Sequence, residues 1–335
     1  MAVRLNQSRR KKIDKAGAAS GSTAGVLTAE HIPVGDGHEI YVETSGNIGG
    51  TPIVFLHGGP GSGFQDAHRK LFPESAYLVM FDQRGAGLSR PTRSRTANTT
   101  DHLIADMEKL RVHFGIDKWI VVGGSWGATL ALAYAERHPE HVLGLVLRSV
   151  FLGTRAELEI AFGANLRMFY PALHKAFLSL LPENERVSPL DSYWANILAD
   201  DVQHSRRFAL AWHDVERILS QITPGTVMLD QDRLNDPETV LPATPFMEAH
   251  YFSNDCFMED NFLLENAAAL TRIPGIIIQA RYDLLCPPAT SQSLAAKWPD
   301  AEIRFVAQAG HSMSDGDTVP AMARGITEMI GRASE

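Results

Sequence analysis

Cysteine is almost absent from this chain: Cys256 and Cys286 are the only two in 335 residues. Two thiols cannot build a disulfide scaffold, so the fold must rest on a hydrophobic core, and a reducing compartment such as the cytoplasm is expected. Long apolar runs are also missing. None reaches the roughly 18 residues needed to span a bilayer. Positive charge is in deficit, with 31 Lys and Arg against 39 Asp and Glu and a net charge of -8. That balance gives no general attraction to nucleic acid or to an anionic membrane. The Cys and His residues show no metal-ligand spacing, and neither a metal nor an organic cofactor is expected. Nothing in the sequence sets an oligomeric state.

The first 25 residues, rich in Arg and Lys and then in Gly, Ala and Ser, lack the apolar centre of a secretory signal. They read as a disordered basic tail; an organelle-targeting or partner-binding arm is the other reading. Regular patterning starts at about residue 26. HIPVGDGHEIYVETSG reads as two strands about a Gly turn. PIVFLHGG, YLVMFDQRG, WIVVGGS, HVLGLVLRSV, PGIIIQARYD and EIRFVAQAGH are short apolar runs closed by turn signals. Such runs suit strands buried on both faces. Helical spacing separates them in NTTDHLIADMEKLRVHFG and in WGATLALAYAERH, which Pro139 stops. Alternation of this kind predicts a mostly parallel, twisted sheet flanked by helices. Residues 151–262 break the alternation and are rich in aromatic and Leu residues at helical spacing. They read as a mainly helical cap inserted into a sheet domain formed by 26–150 and 263–335.

The strongest chemical signal is GGSWG at 123–127, between the run WIVV and a helical pattern. G-x-S-x-G between a strand and a helix is a nucleophile elbow, whose tight turn tolerates only small neighbours and presents the Ser125 oxygen above the sheet. Serine needs a base, and the base needs an orienting acid. With the order Ser, acid, His, the acid is Asp283, which ends the run PGIIIQARYD, and the base is His311, just past the last strand. His102 and His138 lie on helix surfaces, and Asp315 ranks below Asp283 because it follows the histidine. HGGPG at 57–61 follows a strand, where the loop that supplies one oxyanion-hole N–H sits, and its glycines let the backbone come close to the substrate. The N–H of Trp126, next to the nucleophile, is the second donor.

With those residues in place the chain resembles the proline iminopeptidases (prolyl aminopeptidases) of the α/β-hydrolase superfamily. The resemblance runs from about Gly37 to near the C-terminus. It rests on FLHGGPGSG, FDQRGAGLSRP, NTTDHLIADMEKLR, VGGSWGATLALAYAERHPE, EAHYF, ARYDLLCPP and AGHS. It implies an α/β-hydrolase fold and an aminopeptidase that releases N-terminal proline through an acyl-enzyme, with small peptides bearing a free N-terminus as its partners. By position, Ser125, Asp283 and His311 fall on the family's triad, and Gly58, Gly59 and Trp126 on its oxyanion hole. Glu216 in AWHDVE and Glu248 in EAHYF fall on cap glutamates that bind the substrate ammonium. Phe151 falls on an aromatic that packs on the proline ring, and Cys286 on a thiol near the site, which implies inhibition by thiol reagents. Two places depart from the family pattern: Val215 replaces the second Trp of W-x-x-W-E, and Ile160-Ala161-Phe162 replaces a Trp-aromatic pair. They leave the strictness of proline preference open.

A charged amino end in a desolvated pocket needs carboxylate partners, because an unpaired buried ammonium costs several kcal/mol. An amidase or esterase for small amino-acid amides or esters, built on the same triad, is the alternative. A dehalogenase or epoxide hydrolase would need Asp at position 125. A non-catalytic binding module would have no reason to keep all three triad positions.

Overall fold

The computed structural model describes residues 25–334; the basic tail read from the sequence lies outside these apart from Gly25. Among these residues eight strands form one sheet: β1 (Val26–Gly35), β2 (His38–Gly46), β3 (Pro52–Leu56), β4 (Tyr77–Phe81), β5 (Trp119–Ser125), β6 (Val142–Val150), β7 (Gly275–Ala280) and β8 (Ala301–Val306). Their order is β1-β2-β4-β3-β5-β6-β7-β8. β1, β2 and β4 pair antiparallel, and every pairing from β4 to β8 is parallel. The central strands are apolar along their whole length because helices cover both faces. Ile53, Val54, Ile120, Val121, Leu145, Val146, Ile276 and Ile277 are all fully buried.

Helix α1 (Thr100–His113) starts where the sequence signal put it, with Thr99 as its cap accepting from the His102 N–H. Helix α2 (Trp126–Arg137) begins directly after Ser125 and ends before Pro139. Residues 151–274, between β6 and β7, contain no strand. Their helices include α3 (Arg155–Glu159), α4 (Pro171–Ser179), α5 (Pro189–Ile197), α6 (Val202–Leu219) and α7 (Thr244–Phe252). Apolar residues recur at helical spacing over 155–173, but residues Ile160–Asn165 form a π-helical stretch and the segment breaks at Tyr170. Two further helices, α8 (Pro288–Lys297) and α9 (Thr318–Arg332), flank β7 and β8. Among the described residues no helix is long and apolar enough to cross a membrane.

The helices over the sheet are tied to it by buried polar contacts. Asn98, just before α1, accepts from Tyr251 Oη at 2.7 Å, and its carbonyl contacts His250 Nε2 at 2.7 Å. Met247 of α7 lies where Cβ atoms on Gly61 and Gly85 would stand, 2.7 Å from its own atoms. The glycines of HGGPG and DQRG therefore leave room for a side chain of α7.

Candidate active site

Ser125 sits at the C-terminal end of β5 with φ 56° and ψ −127°, a strained conformation for a residue with a side chain. Its flanking glycines are required by contact. A Cβ on Gly123 would lie 2.2 Å from the Gly127 carbonyl oxygen, and one on Gly127 would lie 2.2 Å from that of Leu56. The turn thus lifts Ser125 above the sheet at the start of α2.

His311 and Asp283 follow β8 and β7, as their sequence positions predict. His311 Nδ1 is 2.9 Å from Asp283 Oδ2 and 3.1 Å from Oδ1. The Leu285 and Cys286 N–H groups also donate to Asp283 Oδ1, at 3.0 and 2.8 Å. Burial pushes the Asp283 carboxyl up, but the adjacent His311 and these donors outweigh it and hold the group below its ordinary value. Asp315, the lower-ranked acid, instead accepts from the Ile222 and Gly310 N–H groups. His102 and His138 are half-buried and lie outside both cavities described next.

Two cavities meet at Ser125. The larger, about 220 Å³, is lined by Gly58, Gly59, His68, Arg148, Glu216, His311 and others. The smaller, about 30 Å³, is mostly apolar, with Phe151, Leu158, Ala161, Phe162, Phe252 and Leu285 in its wall. Phe151 thus lies in the apolar wall, edge-on to Phe252 at 5.8 Å. Of the departing positions, Ala161 and Phe162 line this cavity directly. Val215 is fully buried in the core and lines neither.

Gly58 and Gly59 are held by residues whose roles the sequence did not reveal. His57 is fully buried, and burial lowers its pKa to about 4, so its ring is neutral. The Gln83 N–H donates to His57 Nε2 at 3.0 Å. The proton is therefore on Nδ1, which donates to the Gly58 carbonyl at 2.9 Å. Ser62 Oγ donates to the same carbonyl at 2.7 Å. In a trans peptide the N–H points opposite the carbonyl, which turns the Gly59 N–H away from these donors. Gln83 Nε2 also donates to the His57 carbonyl at 3.0 Å, while Gln83 Oε1 accepts from Trp126 Nε1 at 2.8 Å. One side chain thereby joins the glycine loop to the start of α2. The Trp126 ring is buried away from both cavities; its backbone N–H lies in the first helical turn, where no intrahelical acceptor exists.

Glu216 on α6 and Glu248 on α7 are brought together from distant segments. Trp212 Nε1 donates to Glu248 Oε2 at 2.7 Å. Glu248 Oε1 has no hydrogen-bond donor among the described residues unless a proton bridges the two carboxyls. Burial raises both carboxyls, and the charge of Glu216 raises Glu248 further, so the pair titrates as a unit. Glu216 is half-buried, and the surface it keeps faces the two cavities.

Glu157 was not singled out from the sequence, although T-x-x-E at 154–157 is a visible capping box. Its buried carboxylate accepts from the Leu152 and Thr154 N–H groups, both at 3.0 Å, and from Thr154 Oγ1 at 2.8 Å. This fixes the turn after Phe151 at the edge of the apolar cavity. Cys286 lines the same cavity beside Ser125. Burial, then the Asp283 charge, push its thiol well up. The protonated thiol works against the reaction with thiol reagents that the sequence resemblance implies.

Among the described residues two groups of metal-capable side chains converge that sequence spacing did not show: Asp283, Cys286 and His311, and Glu108, His138 and His141. In the first the carboxylate is already taken up by His311 and two backbone donors. In the second Arg111 donates twice to Glu108, at 2.8 Å each. Neither donor set is free to close on an ion without breaking these bonds.

Residues 51–317 match the family described as the alpha/beta hydrolase fold. The chain is 41% identical over 288 residues to a proline iminopeptidase of Arabidopsis thaliana, covering 85% of this chain and 75% of that protein. It is 40% identical over 303 residues to a proline iminopeptidase of Xylella fastidiosa strain 9a5c, covering 89% and 95%. The crystal structure of a proline iminopeptidase from Mycobacterium smegmatis superposes with a TM-score of 0.59 at 17% identity, covering 91% of this chain and 100% of that one. At that identity the structural likeness carries the fold alone.

Proposed function

The chain belongs to the proline iminopeptidases of the α/β-hydrolase family, and from that premise we propose that Ser125, His311 and Asp283 carry its aminopeptidase reaction. The observation that supports this reading most is the His311–Asp283 hydrogen bond at 2.9 Å beside a serine held at positive φ. With Nδ1 engaged by Asp283, His311 offers Nε2 to the Ser125 hydroxyl. Ser125 Oγ attacks the carbonyl of the N-terminal residue as His311 takes its proton. The oxyanion forms against the Gly59 and Trp126 N–H groups, with Gly58 fixing the loop. His311 then protonates the leaving amine, and water releases the acyl group by the same route in reverse. Glu216 and Glu248 hold the substrate ammonium, and Phe151 packs on the N-terminal ring in the apolar cavity. The partners are small peptides with a free N-terminus.

Residues 151–262 act as the cap that carries the two glutamates. Residues 26–150 and 263–335 form the catalytic unit, a division supported by the packing of Phe262–Glu265 and Ala267–Leu270 against α2. Both cysteines are free and buried, which supports a reducing, cytoplasmic setting.

A panel of proline, alanine and phenylalanine arylamides with simple aryl esters tests the reading. Proline arylamide should give the highest kcat/KM. Alanine is expected to be turned over detectably, because Ala161 and Phe162 alter the ring pocket. Preference for an aryl ester lacking an amine would instead favour the esterase alternative.

Gln83→Ala tests the oxyanion loop. It removes two buried hydrogen bonds worth roughly 1 kcal/mol each. It should lower stability by about 2 kcal/mol. Because it loosens donors needed mainly in the transition state, kcat should fall about tenfold or more while KM changes little. A rise in KM with unchanged kcat would remove Gln83 from that role.

A further inference from the structure

The mechanism leaves the buried charge of Arg148 unused. Arg148, near the end of β6, pairs in register with Gly124, the residue before the nucleophile. Its guanidinium lies over Gly124 so closely that a Cβ there would stand 2.9 Å from Nε and 3.0 Å from Nη2. The second glycine of GGSWG is thus set by Arg148, not by the elbow itself. Nη1 donates to the His311 carbonyl and, at 3.2 Å, to Ser149 Oγ. Both partners are neutral. No carboxylate lies within ion-pair distance of Arg148 among the described residues, and Asp283, the charge that supports it from farther off, is already held by His311 and two N–H groups. Nε and Nη2 make no hydrogen bond to the described residues. They are not sealed in the interior either, because Arg148 lines the larger cavity together with Ser125, His311 and Glu216.

A buried guanidinium without an anion is costly, and removing it from water is offset only by an anionic partner with good geometry. Here Arg148, with two of its donors unused, lines the cavity in which the reaction takes place. The two cavities divide the substrate between them. The apolar one suits the ring of the N-terminal residue. The larger one, on the Gly58 and His68 side of Ser125, is left for the residue beyond the scissile bond. We propose that Arg148 binds the carboxylate of that leaving residue, so that dipeptides, whose second residue ends in a free carboxylate, are the favoured substrate class. Glu216 and Glu248 then read one end of a zwitterion and Arg148 reads the other. A carboxylate on the guanidinium fork gives charge-assisted hydrogen bonds that a carboxamide cannot match. The proposal rests on the aminopeptidase reading above and refines it.

The test compares kcat/KM for Pro-Ala, Pro-Ala amide and proline arylamide in the wild-type protein and in Arg148→Gln. The wild type should favour Pro-Ala over its amide by about tenfold or more. In Arg148→Gln that ratio should collapse toward one, whatever happens to the arylamide rate through the lost bond to the His311 carbonyl. A wild-type ratio of one or below overturns the proposal. So does an Arg148→Gln variant that slows both peptides by the same factor, because Arg148 would then only support His311. The wild-type ratio stands as a test even if the variant fails to fold. Absence of arylamide hydrolysis by the wild type would strike the aminopeptidase reading, not the role of Arg148.

Discussion

Ser125→Ala should lower kcat for proline arylamide and for any aryl ester the protein accepts by about 10⁴-fold or more. The loss should be similar for both substrates, since both pass through attack by the same oxygen. KM should change little, because the cap glutamates and the apolar wall are untouched. Some residual catalysis over water is expected from the oxyanion donors and from binding alone. The fold should tolerate the change. Alanine is no bulkier than serine, and Ser125 makes no side-chain cap bond to α2. Alanine meets the same positive-φ strain that serine does, so a modest stability change carries no information about catalysis. His311→Ala should give a comparable loss, and combining the two should add little, because residues that act as a unit are not additive.

The second large effect concerns the buried glutamate pair. Glu216→Gln or Glu248→Gln should reduce kcat/KM for proline arylamide by roughly 10- to 100-fold, the size of a lost charge-assisted contact in a desolvated pocket. The same variants should leave N-acetylprolyl arylamide, a poor substrate throughout, nearly where it was. Equal losses on both would refute ammonium binding by the pair. The pH dependence follows from the raised carboxyls. At low pH both hold protons and offer no charge to an ammonium. As pH rises through their raised range the pair ionises, so the Ki of an amine-bearing competitor such as prolinamide should fall. It should rise again once the amine itself loses its proton.

Stability runs the other way. A carboxyl whose folded pKa is raised favours the folded state fully below the unfolded value of about 4.3, and that contribution is lost as pH climbs through the folded value. Glu248→Gln removes the penalty while its amide oxygen can still accept from Trp212 Nε1. The variant should therefore melt at or above the wild-type temperature, with the gap widening toward alkaline pH. Activity toward amino substrates and stability are expected to move in opposite directions, as they do where a site stores unfavourable burial.

Much of this architecture was legible because it is local. The central strands are continuous apolar runs for the simple reason that both faces are covered, and the elbow, the loop after β3 and the residues after β7 and β8 follow directly from them. What could not be read depends on contacts between distant segments. Gln83 is one residue of a recognisable motif, yet its role comes from meeting His57 and Trp126, 26 and 43 positions away. Asp106 is unremarkable on α1 until it takes both prongs of the Arg84 guanidinium, at 2.7 and 2.8 Å. The coupling of Glu216 and Glu248 exists only because α6 and α7 pack against each other. Helical spacing after Arg155 was visible, but not the π-helical stretch that brings Ala161 and Phe162 to the apolar cavity. Val215 illustrates the converse. Its departure from the family pattern pointed to the ring pocket, whereas its side chain is buried in the core behind it.

The most direct measurement is mass-spectrometric mapping of the protein after reaction with the diphenyl phosphonate analogue of proline, bearing a free amine. A single phosphonyl adduct on Ser125, forming at the rate at which arylamidase activity disappears and not forming in His311→Ala, is the expected result. An adduct on another residue, or full inactivation with Ser125 unmodified, would contradict the account.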